Sequence, residues 1–151
     1  RSHDMKKLDV RPEQSLALAY APPRLKAPFS LMLCLDASFA LVAARGQEPV
    51  LKQLRLAWWR EQILKSVDAR SSNDPMLLAL SAVESTHPEL ALPGLCATLL
   101  DGWSELVSAE GEDSDQAIAR CVERRAAAIF GGYSQWIGAT RERELGAILL
   151  G

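Results

Sequence analysis

The sequence predicts an all-α protein, an antiparallel array of about seven helices. No segment alternates apolar and polar residues for long enough to form a strand, and no Asn-Gly hairpin turn separates β-branched runs. Apolar residues instead recur at steps of three and four, which is the spacing of a helix face. The predicted helices cover Pro12–Tyr20, Arg24 (or Pro28)–Arg45, Val50–Val67, Pro75–Thr86, Pro93–Leu106, Gln116–Gly131 with its continuation to Ile137, and Arg141–Leu150.

Proline and glycine mark where these helices begin and end. The residue before a proline disfavours helix, so Ala21-Pro22-Pro23 ends the first helix. Gly46 can close the second helix in a left-handed conformation. Asn73 or Asp74 can cap the helix that has Pro75 at its first position. These signals predict a single chain of helices joined by short polar turns.

The stretch Val50–Val67 is predicted to lie at the centre of the core. Its apolar residues fall on three separate stripes when placed on a helix, and a helix that is apolar on several sides normally has neighbours on each side. Trp58 and Trp59 point to different sides of this helix. We therefore expect both indoles to be largely buried, each against a different neighbour.

Length, charge and cysteine usage indicate one folded domain. A chain of 151 residues can bury a sizeable core, and its net charge of −2 provides no basic patch, so we expect no nucleic-acid partner. Cys34, Cys96 and Cys121 lie far apart and are predicted to be buried, reduced thiols of a cytoplasmic protein. Residues 1–7 are interpreted as a vector remnant or disordered N-terminus, and residues 8–151 as the single domain.

The longest apolar run, Phe29–Ala44, is interpreted as a buried core helix. It has 16 residues and includes Asp36, whereas a membrane span needs about 20 apolar residues. We therefore expect no transmembrane segment.

Three charged residues interrupt apolar surroundings. Asp36 is the one charge in that run, and a buried carboxylate needs a partner or an opening to water. Arg60 and Glu61 interrupt the predicted central helix, and Arg60 is a candidate partner for Asp36, with Glu61 paired to a base on a neighbouring helix. The alternatives are internal ion pairs that serve the fold, or polar groups that line a cavity.

Several of these stretches resemble the squalene/phytoene synthase family, which has the all-α isoprenoid synthase fold. The likeness is strongest at Glu48-Pro49 and at Leu54-Arg-Leu-Ala-Trp-Trp-Arg-Glu61, which is similar to the family's Leu-x-x-Trp-Arg block. Weaker likenesses cover Leu16–Pro22, Leu31–Asp36, Leu99–Trp103 and Ala126–Ala139. The resemblance implies an isoprenoid synthase fold over most of the chain after Leu16.

The chain departs from this family where active members hold Mg²⁺. Their first aspartate-rich motif would align with Ser38–Ala44, which contains no carboxylate, and Asp36 lies about one turn before it. Leu145–Gly151 is similar to the segment that precedes the second such motif, so the domain is expected to lack its C-terminal helices. Bare apolar surface would then favour a homo-oligomer.

We therefore expect a relative without prenyl-transferase activity that binds a lipid or a partner, as do the family's non-catalytic members in respiratory complex I assembly. The alternatives are an active prenyltransferase in isoprenoid biosynthesis and a helical adaptor whose likeness to the family is accidental. The sequence leaves open whether the chain is an enzyme. We expect no metal or cofactor, with Mg²⁺ only under the alternative, and a cytoplasmic location or one peripheral to the inner membrane. No catalytic residue is assigned. The candidates for lining an apolar cavity, which could hold an isoprenoid or another lipid, are Asp36, Phe39, Trp58, Trp59, Arg60 and Glu61.

Overall fold

The computed structural model describes residues 18–109 and 114–150, and this part of the chain is helical without a strand. The all-α prediction is therefore confirmed. The predicted helix from Pro12 falls mostly outside the described residues, and the interpretation of residues 1–7 falls wholly outside them. The α-helices are α1 (Pro23–Ala44), α2 (Pro49–Leu64), α3 (Pro75–Thr86), α4 (Leu92–Ser108), α5 (Ser114–Ala126) and α6 (Gly132–Leu150).

The helix starts follow the local signals in the sequence. Proline occupies the first turn of α1, α2 and α3, where its missing N–H costs no hydrogen bond. The Asp74 carboxylate caps α3 by accepting hydrogen bonds from the backbone N–H groups of Met76 and Leu77, at 2.8 and 3.1 Å. Short 3₁₀ turns at Val67–Ala69 and Pro88–Leu90 precede α3 and α4.

The centre of the core lies at α1 and α4. Helix α4 packs extensively against α1, α2 and α5. Helix α1 contributes several of the most completely buried side chains, among them Phe29, Met32 and Phe39. The apolar run in α1 therefore serves the interior of this fold, as its sequence predicts.

The prediction that Val50–Val67 forms the centre is wrong. Helix α2 ends at Leu64 and buries mainly one side, through Leu56, Trp59 and Ile63. Trp58 is 40% exposed, whereas Trp59 is 9% exposed. Helix α2 lies at the surface because α4 and α1 cover only its inner side, so its second apolar face points outward.

Arg70 joins the end of α2 to α3. Its guanidinium donates to the carbonyl oxygens of Gln62 and Ile63, at 3.1 and 2.7 Å, near the helix end where backbone acceptors lack helical partners. The same side chain, which is 1% exposed, pairs with Glu84 of α3. The polar stretch after α2 is mostly exposed, but the buried Arg70 fastens it to both helices, which its turn-like composition does not predict.

Two glycines allow helices to approach closely. A Cβ on Gly102 of α4 would lie 3.2 Å from the Cβ of Arg124 on α5. A Cβ on Gly132 would lie 2.9 Å from a methyl group of Leu95 on α4. Gly132 follows a π-helical turn, Ala127–Gly131, which joins α5 to α6. The predicted continuation beyond Gly131 therefore passes through a change of helix geometry in an otherwise continuous helical segment.

Candidate functional site

Asp36 is at the centre of a buried polar cluster formed by three helices. Its Oδ1 accepts hydrogen bonds from Trp103 Nε1 of α4 and from Arg125 Nε of α5, both at 2.8 Å. Its Oδ2 accepts a hydrogen bond from Arg125 Nη2 at 2.5 Å. The Arg125 guanidinium also lies over the Trp103 ring, 4.5 Å from its centroid. Both carboxylate oxygens of Asp36 are therefore engaged by the protein.

The close approach of α4 and α5 positions this cluster. Gly102 precedes Trp103, and its missing side chain leaves room for the backbone at Cys121 and the side chain of Arg124, adjacent to Arg125. A larger residue at position 102 would push α5 away from α4, and Arg125 with it. The glycine thus belongs to the geometry of the Asp36 cluster although it contacts no carboxylate.

The electrostatics of the cluster are those of a paired, partly buried arginine. The pKa of Arg125 is raised, first because its hydrogen bonds to Asp36 favour the charged guanidinium. Burial raises the pKa of the nearby Cys121 thiol despite the positive charge of Arg125. A thiol with a raised pKa is a poor nucleophile at neutral pH, so the cluster lacks an activated cysteine.

The predicted partners of Arg60 and Glu61 are wrong. Arg60 Nε donates to Asp101 Oδ1 of α4 at 3.0 Å, while Asp36 pairs with Arg125. Glu61 pairs with Lys65, one turn further along the chain, and not with a base on a neighbouring helix. The cause is the orientation of α2: Arg60 and Glu61 are both exposed, whereas Asp36 faces α4 and α5.

The aromatic candidates form a row from the interior to the surface. The ring of Phe39 meets Trp59 edge to face, with centroids 5.9 Å apart, and Trp59 meets Trp58 in the same way at 5.4 Å. Phe39 is fully buried and Trp58 is partly exposed. The structure thus brings Phe39, Trp58 and Trp59 together, and Asp36 lies one turn of α1 before Phe39.

Sequence reasoning missed Trp103 and Arg125 as functional candidates. Arg125 belongs to a helix with many charges, and nothing in its local pattern distinguishes it from its exposed neighbour Arg124. The available signal was indirect: the isolated Asp36 demanded a cation, and Gly102 beside Trp103 marked a close helix contact. Those observations together would have indicated α4 and its neighbour.

A cleft of about 180 Å³ lies at the opposite end of α1, between the start of that helix, the turn before α4, and α6. The six candidate residues are not among those that line it, and their assignment to another cavity stays a prediction. Among residues 18–109 and 114–150, no group of three histidine, cysteine, aspartate or glutamate side chains is arranged to hold a metal ion.

Comparison with known proteins leaves the chain without an assigned family. No family model, curated protein or solved structure matches it. Within the described residues, α1 is the one helix long and apolar enough to cross a membrane by length and composition, and half of that stretch is buried in the fold. The core helix of a soluble protein has the same properties.

Proposed function

We propose that the chain is a squalene/phytoene synthase-like helical protein that does not transfer prenyl groups and acts by binding another molecule. In this proposal the chain resembles the non-catalytic members of that family, which act in complex I assembly. The proposal is supported by the all-helical architecture and by the position of the Trp58-Trp59-Arg60-Glu61 block on one helix that packs against α4.

The main support for this proposal is that protein side chains already donate hydrogen bonds to both oxygens of the Asp36 carboxylate. A Mg²⁺ ion that holds a diphosphate needs one or two protein carboxylates with free oxygens. Both oxygens of Asp36 already accept hydrogen bonds from Arg125 or Trp103. The next turn of α1 presents Phe39, which is buried and apolar. A metal ion at Asp36 would have to compete with the positive charge and the two hydrogen bonds of Arg125.

Incubation with labelled farnesyl diphosphate and Mg²⁺ tests the absence of prenyl transfer. We expect the protein to release no more diphosphate than a blank. Release by the wild-type chain would overturn the proposal and favour the alternative, an active prenyltransferase. Asp36→Asn, compared with Asp101→Asn as a matched control on a carboxylate paired with Arg60, would then show whether Asp36 is the catalytic group.

We also propose that the bound molecule is a second copy of this chain, attached through the outer face of α2, which consists of Val50, Leu51, Leu54 and Trp58. These side chains are between 40% and 65% exposed, which is unusual for a contiguous apolar helix face. In an antiparallel pairing of two such faces centred on Leu54, Glu48 just before the face of one copy would come level with Arg60 just after the face of the other. The ends of the face are therefore complementary in charge.

The expected association is weak because the face is small. Stable interfaces bury about 800 Å² on each partner, more than a few side chains of one helix provide. We expect sedimentation velocity to show a monomer–dimer equilibrium that Leu54→Glu shifts to monomer. Leu78→Glu, on a leucine of α3 that is 51% exposed against 63% for Leu54, serves as the matched control.

A monomer at all concentrations would overturn self-association. Binding of the wild-type monomer to liposomes, lost in Leu54→Glu and kept in Leu78→Glu, would assign the same face to a lipid surface instead of a second copy. Either result leaves the prenyl-transfer experiment unaffected, so the two proposals fail separately.

A further inference from the structure

The cleft beside α6 combines two arginines with an apolar floor. Arg24 at the start of α1 and Arg143 of α6 lie on its rim, and the Trp136 indole lies on its floor. Trp136 is 4% exposed, and its Nε1 donates to the carbonyl oxygen of Leu90 at 3.1 Å, which fixes the ring. Gln135 and Thr140 add polar groups to the lining.

The charges in the cleft are unbalanced. Arg24 and Arg143 both approach one oxygen of Glu89, the second at 3.8 Å, and His87 Nδ1 lies 3.7 Å from the same oxygen. One carboxylate thus faces two guanidinium groups, each of which carries five N–H donors in a planar fork. Among the described residues that line the cleft, the two guanidinium groups offer more donors and positive charge than Glu89 can satisfy.

These ion pairs are also open to solvent. The side chains of Arg24 and Arg143 are 36% and 56% exposed, so their contacts with Glu89 are screened by water and can rearrange at little cost. A carboxylate or phosphate from outside can offer each guanidinium the two-oxygen geometry that it prefers. The edge of the indole that reaches the cleft, together with Ala91 and Ala139, supplies an apolar surface for the remainder of such a ligand.

We propose that this cleft binds a small organic anion, with its carboxylate or phosphate held between Arg24 and Arg143 and its apolar part against Trp136. The volume of about 180 Å³ is below the roughly 300–1,000 Å³ of pockets for drug-sized ligands, so the bound group is small. A free metabolite and the headgroup of an anionic lipid share this chemistry. The site is independent of the function proposed above.

Phenyl phosphate, inorganic phosphate and uncharged benzamide are suitable probes for titration calorimetry. We expect saturable binding of phenyl phosphate, weaker binding of inorganic phosphate because it lacks the ring, and none of benzamide. Arg143→Gln should weaken phenyl phosphate binding roughly tenfold or more, the effect of losing one charge-assisted hydrogen bond. Arg141→Gln, which removes an exposed arginine of α6 outside the cleft lining, should leave it unchanged.

Glu89→Gln gives the sharpest test because it removes the carboxylate that competes for both arginines. Under this proposal phenyl phosphate binds several-fold tighter to Glu89→Gln, and circular dichroism should confirm that each variant is folded. The proposal would be overturned if phenyl phosphate showed no saturable binding at concentrations up to about 10 mM, because a dissociation constant above that value does not indicate a site. Equal losses in Arg143→Gln and Arg141→Gln would overturn it too, because they would indicate non-specific attraction.

Vesicles distinguish the two sources of the anion. Sedimentation with phosphatidic acid vesicles that Arg143→Gln abolishes and Arg141→Gln preserves would support a lipid headgroup. Binding of free phenyl phosphate without vesicle binding would support a soluble anion. Both results sustain the chemistry of the site.

Discussion

The Asp36 cluster and the group of Glu89, Arg24 and Arg143 at the cleft both pair a carboxylate with arginine, and they differ in their access to water. Arg125 donates hydrogen bonds to Asp36 from two nitrogens, and Trp103 donates a third, where three helices pack together. Arg24 and Arg143 meet Glu89 at the rim of a cleft, where water competes for every contact. An arginine–carboxylate pair enclosed by neighbouring helices has its donors occupied and becomes costly to break, whereas an exposed pair keeps its donors available to a ligand.

Removal of Asp36 should have the largest effect. Asp36→Ala leaves Arg125 partly buried without its counter-charge, and the free energy of unfolding should fall by about 3 kcal/mol. Urea denaturation measures this loss. The double variant Asp36→Leu/Arg125→Met, which replaces the pair by apolar groups, should be more stable than Asp36→Ala. A loss below about 1 kcal/mol in Asp36→Ala would show that the cluster behaves like a surface pair.

A change in the shape of the cation at position 125 should have a smaller effect on stability. Arg125→Lys keeps the charge and loses the two-nitrogen contact and the planar stacking on Trp103, so we expect a loss of about 1–2 kcal/mol. Arg124→Lys is the matched control, because Arg124 makes an exposed pair with Glu105 and should change stability little. Equal effects of the two substitutions in urea denaturation would contradict the role assigned to the Asp36 cluster.

At the rim of the cleft, one substitution should increase the stability of the protein. Ala91 lines the cleft with a left-handed φ of 52°, a conformation that costs a non-glycine residue about 1–2 kcal/mol. Ala91→Gly should raise the melting temperature, with a net gain of about 1 kcal/mol or less after the greater chain entropy of glycine is counted. Ala139→Gly in α6, which also lines the cleft, should lower it.

The smallest expected effect is a dependence of the free energy of unfolding on pH through Glu89. The pKa of Glu89 is lowered from 4.5, first by a hydrogen bond from its own backbone N–H and further by Arg24 and Arg143. A lowered pKa gives stability that is present above the unfolded value and is lost as the pH falls through the folded value. The loss should stay below about 1 kcal/mol because the pair is exposed.

Unfolding curves of the wild type and of Glu89→Gln between pH 3 and pH 7, about the range in which carboxylates titrate, isolate this contribution. The difference between them should shrink as the pH falls. Arg125 contributes nothing to it, because its pKa is raised above the ordinary arginine value and its contribution is lost only in strong base. A difference that grows in acid would contradict the ion pairing of Glu89.

Local sequence signals predict the helices and one helix cap. They do not predict side-chain pairs whose members are far apart in the sequence. Asp74 and Pro75 start α3 as predicted, because a cap is a matter of adjacent residues. Arg125 and Asp36 are separated by 89 positions, and no periodicity links them. Trp58 and Trp59 have the same hydrophobicity, so sequence alone cannot tell which of them the fold covers.

Cys96, which contacts Met32 between α1 and α4, can be used to detect the separation of these two helices. Cys96 is fully buried, its Sγ lies 3.5 Å from Met32 Sδ, and burial raises its pKa to about 12. At neutral pH this thiol is protonated and shielded, so a thiol-reactive label must wait until α1 and α4 separate. Cys34 lies on the same interface helix but is partly accessible. The labelling rates of these two cysteines, followed by mass spectrometry, therefore distinguish surface fluctuation from loss of the core in the unaltered protein.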